Sequence, residues 1–128
     1  MTGPSTVDQR RTVLTETLRF AVPFHIAEVA RHEPRWIIGE ARRMATVLAT
    51  HGDDLQFGGK HCGPAFNALA RGIACAALVA DGGITFAGVH WCRDPRCPGP
   101  DAEHPPSPVR TVDVEQLIHD VQVVEGLL

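Results

Sequence analysis

The clearest pattern in the chain is an amphipathic helix between Pro34 and about Thr50. Its apolar residues recur at helical spacing on one face, and they are Ile37, Ala41, Met44, Ala45 and Leu48. Arg35 and Arg42 mark the opposite face. Pro34 suits the first helical position, because the N–H that proline lacks has no intrahelical partner there. The pattern therefore predicts a helix over residues 34–50.

The segment from Pro64 to Ala80 is apolar almost throughout, with Asn67 and Arg71 as its polar residues. A helix that is apolar nearly all round is typically buried in the middle of a domain. We therefore expect a helix over about residues 64–80 to be the central element of the fold. Cys75 fits the core of such a helix, since a free thiol behaves there as a small hydrophobe.

Residues 84–92, after the Gly82-Gly83 turn, alternate in the manner of a single strand. The alternation places Phe86, His90 and Cys92 on one face and Trp91 on the other. Such a strand needs a partner to form a small two-stranded antiparallel sheet.

The best candidate for the partner strand lies around residues 12–20, which are rich in Thr and Val. Their alternation puts Leu18, Phe20 and Val22 on one side. A helix over residues 7–20 is the alternative, because Leu18 also shares a helical face with apolar residues before it. Pro23 is expected to end either element or to start a short helix.

The C-terminal part combines a Pro-rich linker, residues 98–110, with an amphipathic helix from about Val114 to Glu125. Asp113 and Gln116 have the spacing of a capping box. The apolar stripe of this helix consists of Val114, Leu117, Ile118, Val121, Val124 and Leu128. We expect it to dock on its own domain or to bind a partner.

The chain therefore divides into a flexible N-terminus (1–11), a globular domain (12–97), the linker (98–110) and the C-terminal helix (111–128). Its 128 residues suit one modest core. The predicted fold class is α+β, mainly helical, with a central buried helix and a small two-stranded antiparallel sheet.

The net charge of −3 argues against a general nucleic-acid binder. The charge is uneven, because residues 1–80 hold nine Lys and Arg against seven Asp and Glu, whereas residues 81–128 hold three against eight. Eleven of the twelve basic residues are Arg, which indicates GC-rich coding and a bacterial or phage origin. A membrane span and an export signal are both missing from the sequence, so we expect a cytoplasmic protein. In that compartment its four cysteines are expected to be thiols or metal ligands.

A metal site follows from the lengths of the predicted elements. A helix of seventeen residues is roughly 25 Å long at about 1.5 Å per residue. A strand of nine residues returning along it covers roughly 30 Å. This match predicts that His90 and Cys92 come back beside Cys62 at the start of the central helix, and Cys97 can fold over the same point. The four residues Cys62, His90, Cys92 and Cys97 then form a Cys₃His set suited to zinc.

Two other interpretations of these residues stay open. The cysteines can be partly buried thiols with His90 as a hydrogen-bonded histidine, or Cys92 and Cys97 can form a disulfide or redox pair. If zinc binds, four protein ligands leave no position for water, which indicates a structural site. A catalytic version needs a nearby general base such as His61 or Glu40, and the sequence places neither residue there.

The chain carries no enzyme signature, neither a Ser-His-Asp set nor a phosphate loop nor a dinucleotide fingerprint. We therefore expect a small zinc-stabilised binding or regulatory module that acts through a protein partner or self-association, by way of its C-terminal helix. The alternatives are a zinc-dependent, hydrolase-like enzyme and a nucleic-acid-binding regulator that uses the arginines of the helix over residues 34–50.

Overall fold

The fold is mainly helical and contains a two-stranded antiparallel sheet, as the sequence predicted. The computed structural model describes residues 6–51, 64–86, 89–92, 94–99, 104 and 113–127. Its elements in chain order are α1 (Thr6–Val29), α2 (Pro34–His51), α3 (Pro64–Leu78), a 3₁₀ turn (Ala80–Gly82), β1 (Ile84–Phe86), β2 (Val89–Trp91) and α4 (Val114–Leu127). None of the described helices has both the length and the apolar character that crossing a membrane requires.

Helix α3 is the centre of the fold, which confirms the predicted central helix. All of its residues except Pro64, Asn67 and Arg71 are buried, and α1 and α2 both pack against it. Cys75 is fully buried in the core, as expected. Small residues let neighbours approach closely, and a Cβ built on Gly72 would lie only 2.0 Å from Cζ of Phe86.

Helix α2 also forms where the sequence predicted it. Ile37, Ala41 and Met44 are buried, and Ala45 and Leu48 pack at the edge of the core. Glu40 is buried with them, which the apolar pattern alone did not indicate.

The prediction of a strand at residues 12–20 is wrong, because these residues belong to helix α1. The exposure of three side chains explains the error. Leu18 and Val22 are 0% exposed, whereas Phe20 between them is 81% exposed. An alternating strand would have put all three on one face, but positions 18 and 22 are one helical turn apart and position 20 points away from them. The helical alternative for this segment was the correct one.

Pro23 lies inside α1 and neither ends it nor starts a separate helix. Proline lacks the N–H that would bond to the carbonyl four residues earlier, here that of Arg19. Both residues are exposed on α1, so water can hydrate this carbonyl. Packing of Leu18, Val22 and Val29 into the core stabilises the helix on both sides of the proline.

The predicted single strand over residues 84–92 is instead a hairpin. Strands β1 and β2 pair antiparallel, with Ile84 opposite Trp91, Thr85 opposite His90 and Phe86 opposite Val89. β1 therefore pairs with the next segment of the chain, β2, and not with residues 12–20. β1 runs back beside α3 only as far as Phe86, which lies against Gly72 in the middle of that helix. Because the chain then reverses, the length match on which the choice of Cys62 rested does not hold.

Helix α4 packs on the core through Leu117 and Val121, which are 4% and 2% exposed. Its start is capped by Asp113, whose Oδ1 accepts hydrogen bonds from the backbone N–H groups of Glu115 and Gln116 at 2.9 and 3.3 Å. Only this half of the predicted capping box forms, because the Gln116 side chain donates to Asp120.

Candidate metal centre

The hairpin determines where His90 and Cys92 lie. Trp91 is 4% exposed and faces the core from its position opposite Ile84. Neighbouring residues on a strand face opposite sides. His90 and Cys92, which precede and follow Trp91 in the sequence, therefore both face away from the core, and both are half-buried.

A turn after Cys92 brings Cys97 to the same point. The N–H of Cys97 donates to the carbonyl of Asp94 at 3.0 Å, and the N–H of Arg96 donates to Oδ1 of Asp94 at 2.9 Å. The turn places Sγ of Cys97 3.3 Å from Nε2 of His90.

His104 completes a cluster of four. Its Nε2 lies 3.4 Å from Sγ of Cys92 and 3.2 Å from Sγ of Cys97. One ligand atom from each of His90, Cys92, Cys97 and His104 lies within 4.8 Å of every other, so the four residues can hold a metal ion.

The sulfur–nitrogen distances are compatible with a shared metal ion. Tetrahedral zinc, with Zn–S of about 2.3 Å and Zn–N of about 2.0 Å, places sulfur and nitrogen ligands about 3.5 Å apart. Sγ of Cys97 lies within 3.3 Å of two ring nitrogens at once. Hydrogen bonds are compatible with these contacts, because a thiol can donate to one nitrogen and accept from an N–H on the other. A cation between the four atoms is compatible with all of them as well.

Thr85 orients the ring of His90 from behind. Its Oγ1 lies 3.0 Å from Nδ1 of His90, and the two residues are cross-strand partners. When the hydroxyl accepts from Nδ1–H, the lone pair of the imidazole is on Nε2, the atom that faces Cys97. This is the outer contact that histidine ligands of metals usually make.

The Cys92 thiol by itself is not predisposed to ionise. Partial burial raises the pKa of the Cys92 thiol, and the neighbouring Cys97 and Asp94 add to this, although the N–H of Asp94 donates to Sγ of Cys92 and lowers it. Two thiolates side by side repel each other. A bound cation offsets this repulsion between thiolates, because its positive charge stabilises the deprotonated form of each coordinating thiol.

Three of the four predicted ligands come together, and they are joined by a residue that the sequence pattern did not single out. His90, Cys92 and Cys97 belong to the cluster. Cys62 and His61 lie outside the described residues. His104 stands in the Pro-rich stretch that was interpreted as a linker. The signal that could have revealed it is the continuation of H-x-C-x₄-C by x₆-H.

The other candidate chemistry of the sequence has local structural explanations. Glu40 is ion-paired with Arg43 and Arg71 at 2.6 and 2.7 Å. One of the arginines considered for nucleic-acid binding is thus engaged by a carboxylate. Trp36 is 37% exposed and stacks on His32 with ring centroids 3.6 Å apart.

No family model, curated protein or solved structure matches this chain.

Proposed function

We propose that this chain is a small zinc-stabilised binding module, in which His90, Cys92, Cys97 and His104 hold one structural Zn²⁺. The observation that carries the proposal is the convergence of two sulfurs and two Nε2 atoms at sulfur–nitrogen distances of 3.2–3.4 Å. Thiolate and imidazole together favour zinc over magnesium, calcium or manganese, which prefer oxygen ligands.

A structural role is favoured over a catalytic one. Four protein ligands fill the tetrahedron and leave no position for a reactive water. The metal would join the hairpin to His104, which lies ten residues before the start of α4 at Val114. Its binding energy would thereby stabilise the path of the chain from the sheet to the last helix.

Metal analysis of the purified full chain tests the zinc site. We expect one zinc per chain and a lower melting temperature in chelator, because metal binding stabilises the folded state. His104→Gln and Cys97→Ser should each lose the metal. His51→Gln, a change at an exposed histidine at the end of α2, is the matched control and should retain it.

Cys62→Ser separates the two possible ligand sets. If His104 is the fourth ligand, Cys62→Ser retains zinc and His104→Gln loses it. The reverse result would restore Cys62 to the site. A purified protein with negligible metal and the same melting temperature in chelator would overturn the proposal.

The binding activity of the module is proposed to be self-association. The C-terminal helix buries Leu117 and Val121 against its own core. By contrast, α1 presents Phe20 and Phe24 one helical turn apart, 81% and 70% exposed. They border a groove of about 680 Å³ that Phe66 also lines.

This α1 face, defined by Phe20, Phe24 and the groove beside them, is complementary to itself. It carries both protruding rings and an apolar recess. Two copies related by a two-fold axis can each place their rings in the groove of the other. Glu16 and Arg19 at its edge have opposite charges, so the edge gives no uniform repulsion between copies.

Light scattering on the full chain over a range of concentrations tests self-association. We expect a dimer that the double variant Phe20→Ser, Phe24→Ser converts to a monomer with its zinc content unchanged. Val123→Ser removes an apolar side chain, 42% exposed, from α4 and serves as the control. A monomeric wild-type protein would overturn this part of the proposal. Loss of the dimer through Val123→Ser alone would assign the contact to α4.

A further inference from the structure

The two cysteines of the metal centre differ from the third described cysteine in their accessibility. Cys92 and Cys97 are half-buried, and the turn between them is exposed at Asp94, Pro95 and Arg96. Cys75 is 0% exposed in the core, and burial raises the pKa of its thiol to about 12. Reactivity of a cysteine requires access and thiolate character, and Cys75 has neither.

The two sulfurs are close enough to meet after a small movement. Sγ of Cys92 and Sγ of Cys97 lie within 4.8 Å of each other and contact the same nitrogen of His104. A disulfide requires about 2.05 Å between the sulfurs. The turn before Cys97 can supply this displacement, because Asp94, Pro95 and Arg96 are all exposed.

From these contacts we infer that Cys92 and Cys97 are an oxidation site, at which hydrogen peroxide forms a disulfide and releases the metal. This inference rests on the proposed zinc site for its metal-release step. Peroxide would thus release the metal from the site, and a reductant would allow the metal to bind again.

The chemistry balances with peroxide as the oxidant. One thiolate attacks a peroxide oxygen and breaks the O–O bond, giving a sulfenic acid and hydroxide. The other thiolate attacks that sulfur, forms the S–S bond and expels a second hydroxide. Two protons convert the hydroxides to water, so two thiolates are oxidised and one peroxide is reduced.

The disulfide removes both anionic ligands from the centre. The remaining donors are the neutral imidazoles of His90 and His104. Two neutral ligands bind zinc more weakly than a set that also contains two thiolates. Zinc therefore leaves, and His104 loses its link to the hairpin. A dithiol reductant reverses the oxidation and allows zinc to bind again.

The experiment treats the zinc-loaded full chain with hydrogen peroxide and measures freed zinc with a chromogenic chelator. Peptide mapping with tandem mass spectrometry then locates the cross-link. We expect one zinc released per chain, a Cys92–Cys97 disulfide and a reduced Cys75. Trypsin cleaves after Arg93 and Arg96, so the two cysteines fall on separate peptides unless they are cross-linked.

Two variants complete the test. Cys97→Ser should give no cross-link, and its Cys92 sulfenic acid should be trapped by dimedone. Cys75→Ala should behave as the wild type. Zinc that stays bound in excess peroxide, sulfinic acids without a cross-link, or a cross-link to Cys62 would each overturn the inference.

Failure of the zinc proposal is seen separately, in the metal content before peroxide is added. If the chain holds no zinc, the same mapping on the metal-free protein still tests the thiol pair. A Cys92–Cys97 cross-link would then support the oxidation site while the zinc proposal fails. A zinc-loaded chain that forms no cross-link would support the zinc site and overturn the oxidation site.

Discussion

The imidazole of His104 lies directly against the backbone of Gly83. A Cβ built on Gly83 would be 2.2 Å from Cδ2 and 2.4 Å from Cγ of that ring. Gly83 has φ +77°, a left-handed conformation that favours glycine. The residue that follows the 3₁₀ turn thus both turns the chain into β1 and leaves the space that His104 occupies.

Gly83→Ala is therefore expected to displace His104 and weaken metal binding. The nearest atoms to the added methyl group belong to the imidazole ring of His104. The ring itself must therefore move to make room for it. Zinc affinity measured by competition with a chromogenic chelator should fall by at least about tenfold, the effect typical of disturbing a ligand's surroundings.

Gly99→Ala is the matched control for this change. Gly99 also has positive φ, +133°, but nothing lies within 4 Å of its Cβ position. It should share the cost of backbone strain, and although its carbonyl lies 3.5 Å from Sγ of Cys97, its added methyl group meets no ligand. Equal losses of zinc affinity in the two variants would contradict the steric explanation.

Thr85→Val tests the contact behind His90. The valine keeps the size of threonine and removes the oxygen that lies 3.0 Å from Nδ1. Loss of such an outer hydrogen bond typically lowers metal affinity by about 10- to 100-fold. Thr85→Ser, which retains a hydroxyl, should bind zinc nearly as the wild type does. If valine and serine variants bind zinc equally, Thr85 does not orient the ligand.

Gly72→Ala is expected to destabilise the core. Its Cβ would lie 2.0–2.6 Å from three atoms of the Phe86 ring. Overpacking of this kind costs about 1–3 kcal/mol or more. That cost should exceed the gain of about 1 kcal/mol that alanine brings over glycine inside a helix.

Gly39→Ala provides the comparison for Gly72. Gly39 lies inside α2, is exposed, and has nothing within 4 Å of its Cβ position. We expect this variant to gain about 0.5–1 kcal/mol in the free energy of unfolding. Urea unfolding of both variants measures the difference, and two changes of the same sign would contradict the packing of Phe86 on α3.

The buried Glu40 links two helices through Arg71, and its removal should be costly. The side chain of Glu40 is 3% exposed, and its two oxygens bind Arg43 and Arg71. Breaking a buried ion pair by removing one partner costs about 3–5 kcal/mol. Because Arg71 is 18% exposed and also contacts Glu28, we expect Glu40→Gln to approach the lower end of this range.

The exposed pair of Glu16 and Arg19 is the control for Glu40. Glu16 is 59% exposed, and such a pair contributes about 0–1 kcal/mol. Glu16→Gln should therefore unfold close to the wild type in urea. A loss in Glu40→Gln no larger than in Glu16→Gln would show that the buried network adds nothing to stability.

Because of the same Glu40 carboxylate, the free energy of unfolding is expected to depend on pH in the acid range. Burial raises the pKa of Glu40, but the hydrogen bonds and charges of Arg71 and Arg43 outweigh it, so the pKa lies below its ordinary value. A carboxyl group with a lowered folded-state pKa contributes stability above its unfolded-state pKa. That contribution is lost as the pH falls through the folded-state value.

Urea unfolding at a series of pH values from neutral into the acid range measures this dependence. Glu40→Gln should differ most from the wild type at neutral pH, and the two curves should converge in acid. Acid also protonates the metal ligands, but it does so in both proteins, so the difference between them isolates Glu40. A gap that stays constant over the whole range would contradict the shifted pKa.

The sequence by itself determined two kinds of helix: one that is buried on nearly all sides, and one that is buried along a single continuous face. Residues 64–78 are so apolar that only a central helix can hide them, and the face that runs from Ile37 to Leu48 has a single helical period. The same holds for Asp113 as a cap. These features depend on local spacing, which a sequence displays directly.

The tertiary structure decided which short apolar segment became helix or strand. The segment around Leu18 fits both periods over a few residues, and only its packing on α3 selects the side that buries Leu18 and Val22. Likewise, the alternation in residues 84–92 predicted one continuous strand with Phe86 and Trp91 on opposite faces. The pairing of Phe86 with Val89 reverses the phase of that alternation, so Phe86 and Trp91 are both buried on the same side of the hairpin.

The candidate metal centre shows the same division. The spacing of His90, Cys92 and Cys97 was sufficient to group them, since the strand and the turn after it are local. It did not single out His104 as their neighbour, because such a residue can come from any segment that the fold brings near. His104 reaches the site only where Gly83, distant in sequence and lacking a side chain, leaves room for its ring. That contact is a property of the folded chain and cannot be derived from the spacing of residues.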